Sequence, residues 1–252
     1  MEAASRRLRI GGVPIDPLTL AQAVDAVGDL VAAGKGGAVF TPNVDHVVEY
    51  AENPALREAY EAASLSLADG MPVLWAARLL GTPLPAKVSG SDLVMPLLER
   101  CAARGWRVFL LGGGDGVAEK AKAELARTLP ALTVVGTLSP RVDMREPAAH
   151  RAEIVQAVHN AAPDVVVVGF GAPKQELFIH ESREALAPAV LLGLGACIDF
   201  IAGTVPRAPK WMSNSGLEWA YRLSREPRRL WRRYLVRDPK FVRIVLRSAR
   251  GR

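Results

Sequence analysis

The chain has 252 residues and a formal net charge of +6, and half of its residues are apolar, which is typical of a folded globular protein. Its longest apolar run, AVLLGLGACI, is too short to cross a bilayer as a helix, and MEAASRRLRIGG lacks the apolar stretch of a secretory signal. Two distant cysteines without a CxxC pattern argue against a disulfide framework or a zinc site. We therefore expect a cytoplasmic protein whose Cys101 and Cys197 are buried as small apolar side chains.

Short apolar segments alternate with helical patterns along the chain. The strand-like segments are apolar at consecutive positions, and they cover residues 38–41, 65–68, 106–113, 133–137, 164–171 and 189–195. The helical patterns cover VDHVVEYA, a segment from Asn53-Pro54, MPVLWAARLL, residues 89 to about 104, GVAEKAKAELARTL and about 148–161. Strands that are apolar on both faces and separated by helices predict an α/β fold with a Rossmann-like, largely parallel sheet covered by helices on both faces.

Polar segments follow four of these strands. They are Thr41-Pro42-Asn43, Asp69-Gly70, the glycine-rich run 112–116, and the segment from Gly169 to Glu176. Because ligands of parallel α/β sheets bind at the carboxyl ends of the strands, we expect these four segments to share one functional edge.

The run LLGGGDGVAEKA follows a strand and opens a helix, where backbone N–H groups can hold a phosphate or diphosphate. Gly112 and Gly114 would be the contacting residues. The run does not satisfy GxGxxG, because position 117 is valine, and it lacks the GK[ST] of a P-loop. A tight turn without a ligand explains the glycines about as well, and a dinucleotide-dependent oxidoreductase is disfavoured.

Single polar residues at the other strand ends each allow two interpretations. Asp69 is placed either to accept a proton from a hydroxyl nucleophile, with burial raising its pKa, or to cap the helix near Met71. Thr41 and Asn43 either line a pocket or, for Asn43, cap the next helix.

The segment GFGAPKQE follows the apolar run Asp164-Val-Val-Val-Val. Gly169 and Gly171 would allow a ligand close to the backbone, and Pro173 would start a helix with Lys174 and Gln175 in its first turn. A lysine there opposes the helix dipole, which is easier to understand if an anion or sugar binds nearby.

The positive charge is concentrated at the C-terminus. Residues 204–252 carry 14 Lys and Arg against 3 Asp and Glu, whereas the other 203 residues carry 18 against 23. We therefore predict a body at 1–205 and a basic helical appendage at 206–252. Its last helix places Lys240, Arg243, Arg247 and Arg250 on one face, with aromatic and aliphatic residues elsewhere, which is typical of a helix at a membrane surface. A nucleic-acid arm or a solvated face packed on the body are the alternatives.

Four segments in order resemble the WecG/TagA/CpsF glycosyltransferase family: TPNVDHVV, LADGMPVLWAARLLGTPLPAKVSGSDL, GFGAPKQE and RAPKWMSNSGLEWAYRLSREPRRLWRRYL. The resemblance implies transfer of a sugar, typically N-acetylmannosamine from its UDP derivative, with inversion at the anomeric carbon. The implied acceptor is the 4-hydroxyl of N-acetylglucosamine on a polyprenyl diphosphate, in teichoic acid or cell-surface polysaccharide synthesis. It implies no metal and no cofactor, and UDP-glucose or UDP-glucuronic acid are alternative donors.

The resemblance also assigns roles to individual residues. Asp69 matches the proposed catalytic base. The polar residues that line the family's pocket are matched by Thr41, Asn43 and Gln175. The arginines of the family's C-terminal appendage, which hold the lipid diphosphate, are matched by Arg222, Arg229 and Arg232. Lys87 stands where the family more often has arginine, which keeps the charge without bidentate geometry.

These observations predict a peripheral enzyme on the inner face of the cell membrane. Its partners would be a UDP-sugar, a polyprenyl-diphosphate-linked acceptor and the membrane surface, with no nucleic acid and with self-association left open. The rival hypothesis is a non-enzymatic module that binds a nucleotide and uses its basic tail on RNA or a membrane.

Overall fold

The computed structural model describes residues 7–147 and 149–250, and within them it contains eight strands. They are β1 (Leu8–Ile10), β2 (Val13–Ile15), β3 (Gly37–Phe40), β4 (Leu65–Ser66), β5 (Arg107–Gly112), β6 (Thr133–Leu138), β7 (Val165–Gly169) and β8 (Val190–Gly193). The first two form an antiparallel hairpin, and the other six form one sheet in the order β4-β3-β8-β7-β5-β6. Each neighbouring pair in this sheet is parallel, as predicted.

Helices connect the strands and continue beyond the last one. Those of the body are α1 (Leu20–Ala33), α2 (Val44–Glu52), α3 (Pro54–Glu61), α4 (Met71–Leu79), α5 (Gly90–Arg104), α6 (Val117–Thr128), α7 (Ala149–Ala161), α8 (Lys174–Ser182) and α9 (Cys197–Ile201). Those that follow are α10 (Lys210–Asn214), α11 (Glu218–Arg225), α12 (Pro227–Arg232), a π-helical turn (Arg233–Arg237) and α13 (Lys240–Arg250). No helix of the described residues is both long and apolar enough to cross a membrane.

Two apolar cores cover the two faces of the sheet. In β7, Val166 and Val168 pack into one core while Val165 and Val167 pack into the other, and all four side chains are fully buried. A strand buried on both faces has no position for a polar side chain, which explains its consecutive apolar residues. The predicted fold class is confirmed.

Local signals in the sequence set several helix starts. The side chain of Asn43 accepts the backbone N–H of Asp45 and caps α2, and Asn53 caps α3, whose first residue is Pro54. Ser89 caps α5. The N-terminal hairpin and α1 were not among the predicted elements, and β4 is two residues shorter than the predicted segment 65–68.

The appendage packs against the body through α2. Acidic residues of α2 recur at intervals of four and three residues: Asp45, Glu49 and Glu52. Basic residues of the π-helical turn and α13 recur at the same intervals: Arg233, Arg237 and Lys240. The two series pair in order, with Arg233 Nε 3.3 Å from Asp45 Oδ2, Arg237 beside Glu49, and Lys240 Nζ 2.6 Å from Glu52 Oε1. We call these the α2 ion pairs.

Apolar contacts accompany the α2 ion pairs. Phe241 and Val245 of α13 are buried in the core that also contains Val47 and Val48, and Ile244 packs beside it. The expectation that the apolar side chains of this helix rest in a lipid interface is therefore wrong for Phe241 and Val245, because they cover α2. Val242 and Leu246 remain exposed.

Candidate active site

A cavity of about 540 Å³ opens at the carboxyl ends of β3, β4, β7 and β8. Residues of α11 and the π-helical turn form part of its wall, so body and appendage both contribute to it. The polar and charged side chains that line it include Thr41, Asn43, His46, Asp69, Gln175, Asp199, Glu218, Tyr221, Arg222, Arg225 and Arg233. Three of the four predicted polar segments therefore meet in one cavity, while the glycine-rich run 112–116 does not line it.

Asp69 lines this cavity, three residues beyond the end of β4. Its backbone N–H donates to the carbonyl of Pro42 at 2.9 Å, which ties together the loops after β3 and β4. The cap position of α4 is Gly70 and has no side-chain cap bond, so the structure does not show Asp69 as a helix cap. Burial, together with the charge of Glu218, raises the pKa of Asp69 to about 6, although Arg222 and Lys87 oppose the shift. A carboxylate with that pKa is well suited to accept a proton near neutral pH.

A chain of buried and partly buried polar side chains runs along one wall. His46 places Nδ1 2.9 Å from Asn43 Oδ1 and Nε2 3.2 Å from Glu176 Oε1. Gln175 Nε2 donates to the same Glu176 oxygen at 2.7 Å, and Gln175 Oε1 accepts the backbone N–H of Gly195 at 3.0 Å. Both ends of the Gln175 amide are thus held, which fixes its orientation at the cavity. Asn43 both caps α2 and lines the cavity, so its two interpretations hold together.

Thr41 joins this wall from the end of β3. Its hydroxyl donates to the carbonyl of Gly193 in β8 at 3.4 Å, and its side chain is buried. The contact connects two neighbouring strand ends beneath the cavity.

Backbone packing accounts for two of the predicted ligand-binding glycines. A Cβ at Gly112 would lie 2.6 Å from the carbonyl oxygen of Gly169, and one at Gly169 would lie 2.8 Å from that of Gly195. Gly114 is exposed and away from the cavity. Gly171 does line the cavity, with a φ of +74° and open space around it. Ligand contact by Gly112, Gly114 and Gly169 stays a prediction.

The two predicted lysines lie outside the cavity lining. Lys174 is exposed in the first turn of α8. Lys87 Nζ lies 3.0 Å from Asp92 Oδ2 and donates to Ser213 Oγ at 2.7 Å, and Ser213 in turn donates to Glu218 at 2.9 Å. Lys87 therefore links the body to the start of the appendage, and its charge also reaches Asp69.

The three predicted arginines of the appendage have different surroundings. Arg222 lines the cavity, where its guanidinium lies 5.9 Å from the ring centroid of Phe200 and 3.5 Å from Glu218. Arg232 is exposed and stacks over Trp231, away from the lining. The side chain of Arg229 lies outside the described part of the structure, so its role stays a prediction.

Sequence reasoning missed several lining residues. Arg225 and Arg233 face the cavity, and Arg233 Nη2 donates to Asn43 Oδ1 at 3.3 Å. Glu218 and His46 also lie there. A signal existed only for His46, which follows Asn43 at the spacing of a capping box. The others depend on how the appendage docks, which spacing does not reveal.

A partly buried carboxylate of raised pKa that faces arginines across a cavity at the carboxyl edge of a parallel sheet is typical of α/β enzymes acting on anionic substrates. The model of the WecG/TagA/CpsF glycosyl transferase family matches residues 8–252, and the chain belongs to this family. It is 34% identical over 218 residues to the N-acetylglucosaminyldiphosphoundecaprenol N-acetyl-beta-D-mannosaminyltransferase of Bacillus spizizenii, covering 86% of this chain and 81% of the relative. The resemblance drawn from the four segments is thus confirmed, and the protein is a glycosyltransferase.

Proposed function

We propose that the protein transfers N-acetylmannosamine from its UDP derivative to N-acetylglucosamine on a polyprenyl diphosphate. The name of the Bacillus spizizenii relative supports this pair of sugars and this lipid carrier. The observation that carries the proposal is the placement of Asp69 and Arg222 in one cavity, because the reaction needs both a proton acceptor and cations for diphosphate groups. UDP-glucose and UDP-glucuronic acid are the alternative donors.

The proposed chemistry is a single displacement with Asp69 as general base. The Asp69 carboxylate takes the proton of the acceptor hydroxyl while its oxygen bonds to the anomeric carbon. The bond from that carbon to the diphosphate oxygen breaks, UDP leaves with the electron pair, and the configuration inverts. The pKa of about 6 leaves Asp69 ionised at neutral pH and still basic enough to accept the proton.

The arginines of the cavity are proposed to neutralise phosphate charge. Arg222 and Arg225 come from α11 and Arg233 from the π-helical turn, so these cations enter the cavity from the appendage. Guanidinium groups suit this task because they form paired hydrogen bonds with phosphate oxygens. Thr41, Asn43 and Gln175 would contact the donor or the acceptor sugar from the body. The enzyme would work on the inner membrane surface, where its lipid-linked acceptor lies.

The proposal is tested by replacing the base. Asp69→Asn removes the proton acceptor but keeps the shape, so turnover should fall by about 10²–10⁴-fold while the donor still binds. The measurement is UDP release from a panel of UDP-sugars with a short-chain polyprenyl diphosphate N-acetylglucosamine as acceptor. Asp29→Asn, on the exposed side of α1, is the matched control and should behave as wild type.

Near-normal turnover by Asp69→Asn would contradict the base assignment. Absence of release from every sugar by the folded wild-type protein on lipid vesicles would contradict the proposed reaction. It would favour the non-enzymatic module, which predicts salt-sensitive binding to polyanions.

A further inference from the structure

In the described part of the structure, well-exposed large apolar side chains are confined to two segments of the chain. Among residues 7–147 and 149–250, every large apolar side chain that is well exposed belongs either to α4 or to the segment 211–246. They are Trp75, Leu79, Trp211, Leu217, Trp219, Trp231, Leu235, Val236, Val242 and Leu246. Scattered exposed apolar residues need no explanation, but confinement of all of them to two regions indicates a contact surface.

The two regions meet at Gly216. A Cβ at this position would lie 2.7 Å from Cη2 of Trp75 and 3.2 Å from Cβ of Met71, so the loop between α10 and α11 rests on α4. Leu217 and Trp219 follow this contact directly, and the ring of Trp219 packs against that of Tyr234 at 6.0 Å. Helix α4 of the body and the start of the appendage therefore form one continuous surface, which we call the α4 surface.

The α4 surface adjoins the cavity. Leu217 and Trp219 flank Glu218, which lines the cavity, and two residues further on Tyr221 lines it too. An apolar chain attached to a diphosphate in the cavity would leave it close to these side chains. This placement favours a lipid surface as the binding partner of the α4 surface.

Exposed arginines belong both to α4 itself and to the appendage. Arg78 is exposed between Trp75 and Leu79 on the outer side of α4, and Arg228 and Arg232 are exposed on α12. Tryptophan, leucine and arginine together on one helix face match the boundary between lipid headgroups and acyl chains, and the arginines complement anionic headgroups.

Resting on the proposed use of a lipid-linked acceptor, we infer that α4 is a membrane-docking element of the body. Trp75 and Leu79 insert into the headgroup region of an anionic bilayer beside Trp211, and Arg78 contacts lipid phosphates. The body thereby touches the membrane directly, and the appendage is not the sole anchor.

A fluorescent probe at position 79 tests this inference. Cys101 and Cys197 are buried, so Leu79→Cys offers one accessible thiol for an environment-sensitive dye. Adding phosphatidylglycerol vesicles should shift the emission to the blue and increase it several-fold. Ala126→Cys, on the exposed side of α6, is the matched control and should not respond. An unchanged signal at position 79 in protein that sediments with the vesicles would overturn the inference, as would failure of the wild type to sediment with them.

A second measurement separates lipid from other occupants and from the proposed reaction. Trp75→Gln/Leu79→Gln should weaken sedimentation with phosphatidylglycerol vesicles by about tenfold or more. UDP release with a water-soluble acceptor analogue should stay near the wild-type rate, because neither residue lines the cavity. Unchanged vesicle affinity would overturn the docking role whatever the activity. A probe shift that appears with rising protein concentration and no vesicles would overturn it in favour of a second copy of the chain. If the wild-type protein releases no UDP, the proposed reaction is contradicted. The docking role is then decided by the vesicle measurement alone.

Discussion

Asp69 lowers the stability of the protein at neutral pH because of the same burial that makes it a stronger base. Its pKa rises from an ordinary 3.8 to about 6, so the folded state holds the proton more tightly than the unfolded chain. The stabilisation that comes from this tighter proton binding is fully present below about pH 4 and is lost as pH rises through 6. A shift of this size corresponds to at most about 3 kcal/mol.

Asp69→Asn should therefore be more stable than wild type at neutral pH, since asparagine has no charge to desolvate. The free energy of unfolding from urea titration should rise by about 2 kcal/mol at pH 7.5 and hardly change at pH 4. Asp29→Asn provides the exposed control. An equal effect of Asp69→Asn at both pH values would show that its side-chain charge is not the cause.

At the level of residues, the sequence predicted the cavity lining that comes from strand ends. Thr41, Asn43, Asp69 and Gln175 follow apolar strands, and parallel strands bring their carboxyl ends to one edge. The sequence did not reveal Arg225 or Arg233, because a basic appendage contains many arginines and only docking selects those that face the cavity. Lys87 was predicted at the pocket, but its ion pair with Asp92 and its bond to Ser213 place it beneath the appendage.

The ends of β5 and β7 are in backbone contact, which makes Gly112 a structural residue. Its φ is +122°, and a Cβ would meet the carbonyl of Gly169. Gly112→Ala should lower the free energy of unfolding by about 2 kcal/mol or more, measured by urea denaturation.

Gly114→Ala is the matched control for Gly112→Ala. A Cβ at Gly114 would meet only Val117, at an ordinary 3.6 Å, so stability should change by less than about 0.5 kcal/mol. Similar stabilities for the two variants would contradict the packing role of Gly112. A weaker affinity of Gly114→Ala for UDP, at unchanged stability, would support the predicted ligand contact of the glycine-rich run.

At the level of elements, the predicted strands and helices were those with strong local signals. Buried parallel strands are apolar at every position, and α2, α3 and α5 begin with capping residues. The β1–β2 hairpin was not predicted because each strand has three residues, too few to show a period. Helix α13 was predicted, but its packing against α2 was not. The basic and apolar residues of α13 fit either a lipid surface or the acidic side of α2.

The outermost of the α2 ion pairs offers a test of appendage docking. Lys240 and Glu52 are each about half exposed, so Lys240→Glu leaves the fold intact but places two carboxylates side by side. Hydrogen exchange of α13 amides should become a few-fold faster, corresponding to about 0.5–1 kcal/mol.

The charge-swapped pair Glu52→Lys/Lys240→Glu should restore the exchange rates of wild type, because the attraction is re-formed with opposite signs. Both effects should shrink in high salt, which screens exposed charges. If the double variant exchanges as fast as the single one, the pair does not hold α13 on α2.

At the level of the whole molecule, the net charge does not show how unevenly the charged residues are distributed. The C-terminal segment has an excess of cations, and part of this excess is neutralised by α2 rather than presented to a partner. The remaining exposed arginines of this segment belong to α11, α12 and α13. The sequence predicted the basic appendage. Which of its cations pair with acidic residues of the body and which are exposed could be seen only in the three-dimensional structure.

The equal spacing of the two series in the α2 ion pairs has a geometric consequence. If the π-helical turn and α13 slid together by one helical turn along α2, Arg237 would stand opposite Asp45 and Lys240 opposite Glu49, so two of the three attractions would persist. Arg237 already lies within 3.5 Å of Asp45 while it contacts Glu49. The charges therefore tolerate a slip, whereas the same slip would move the buried side chains of Phe241 and Val245 out of their present contacts with the core.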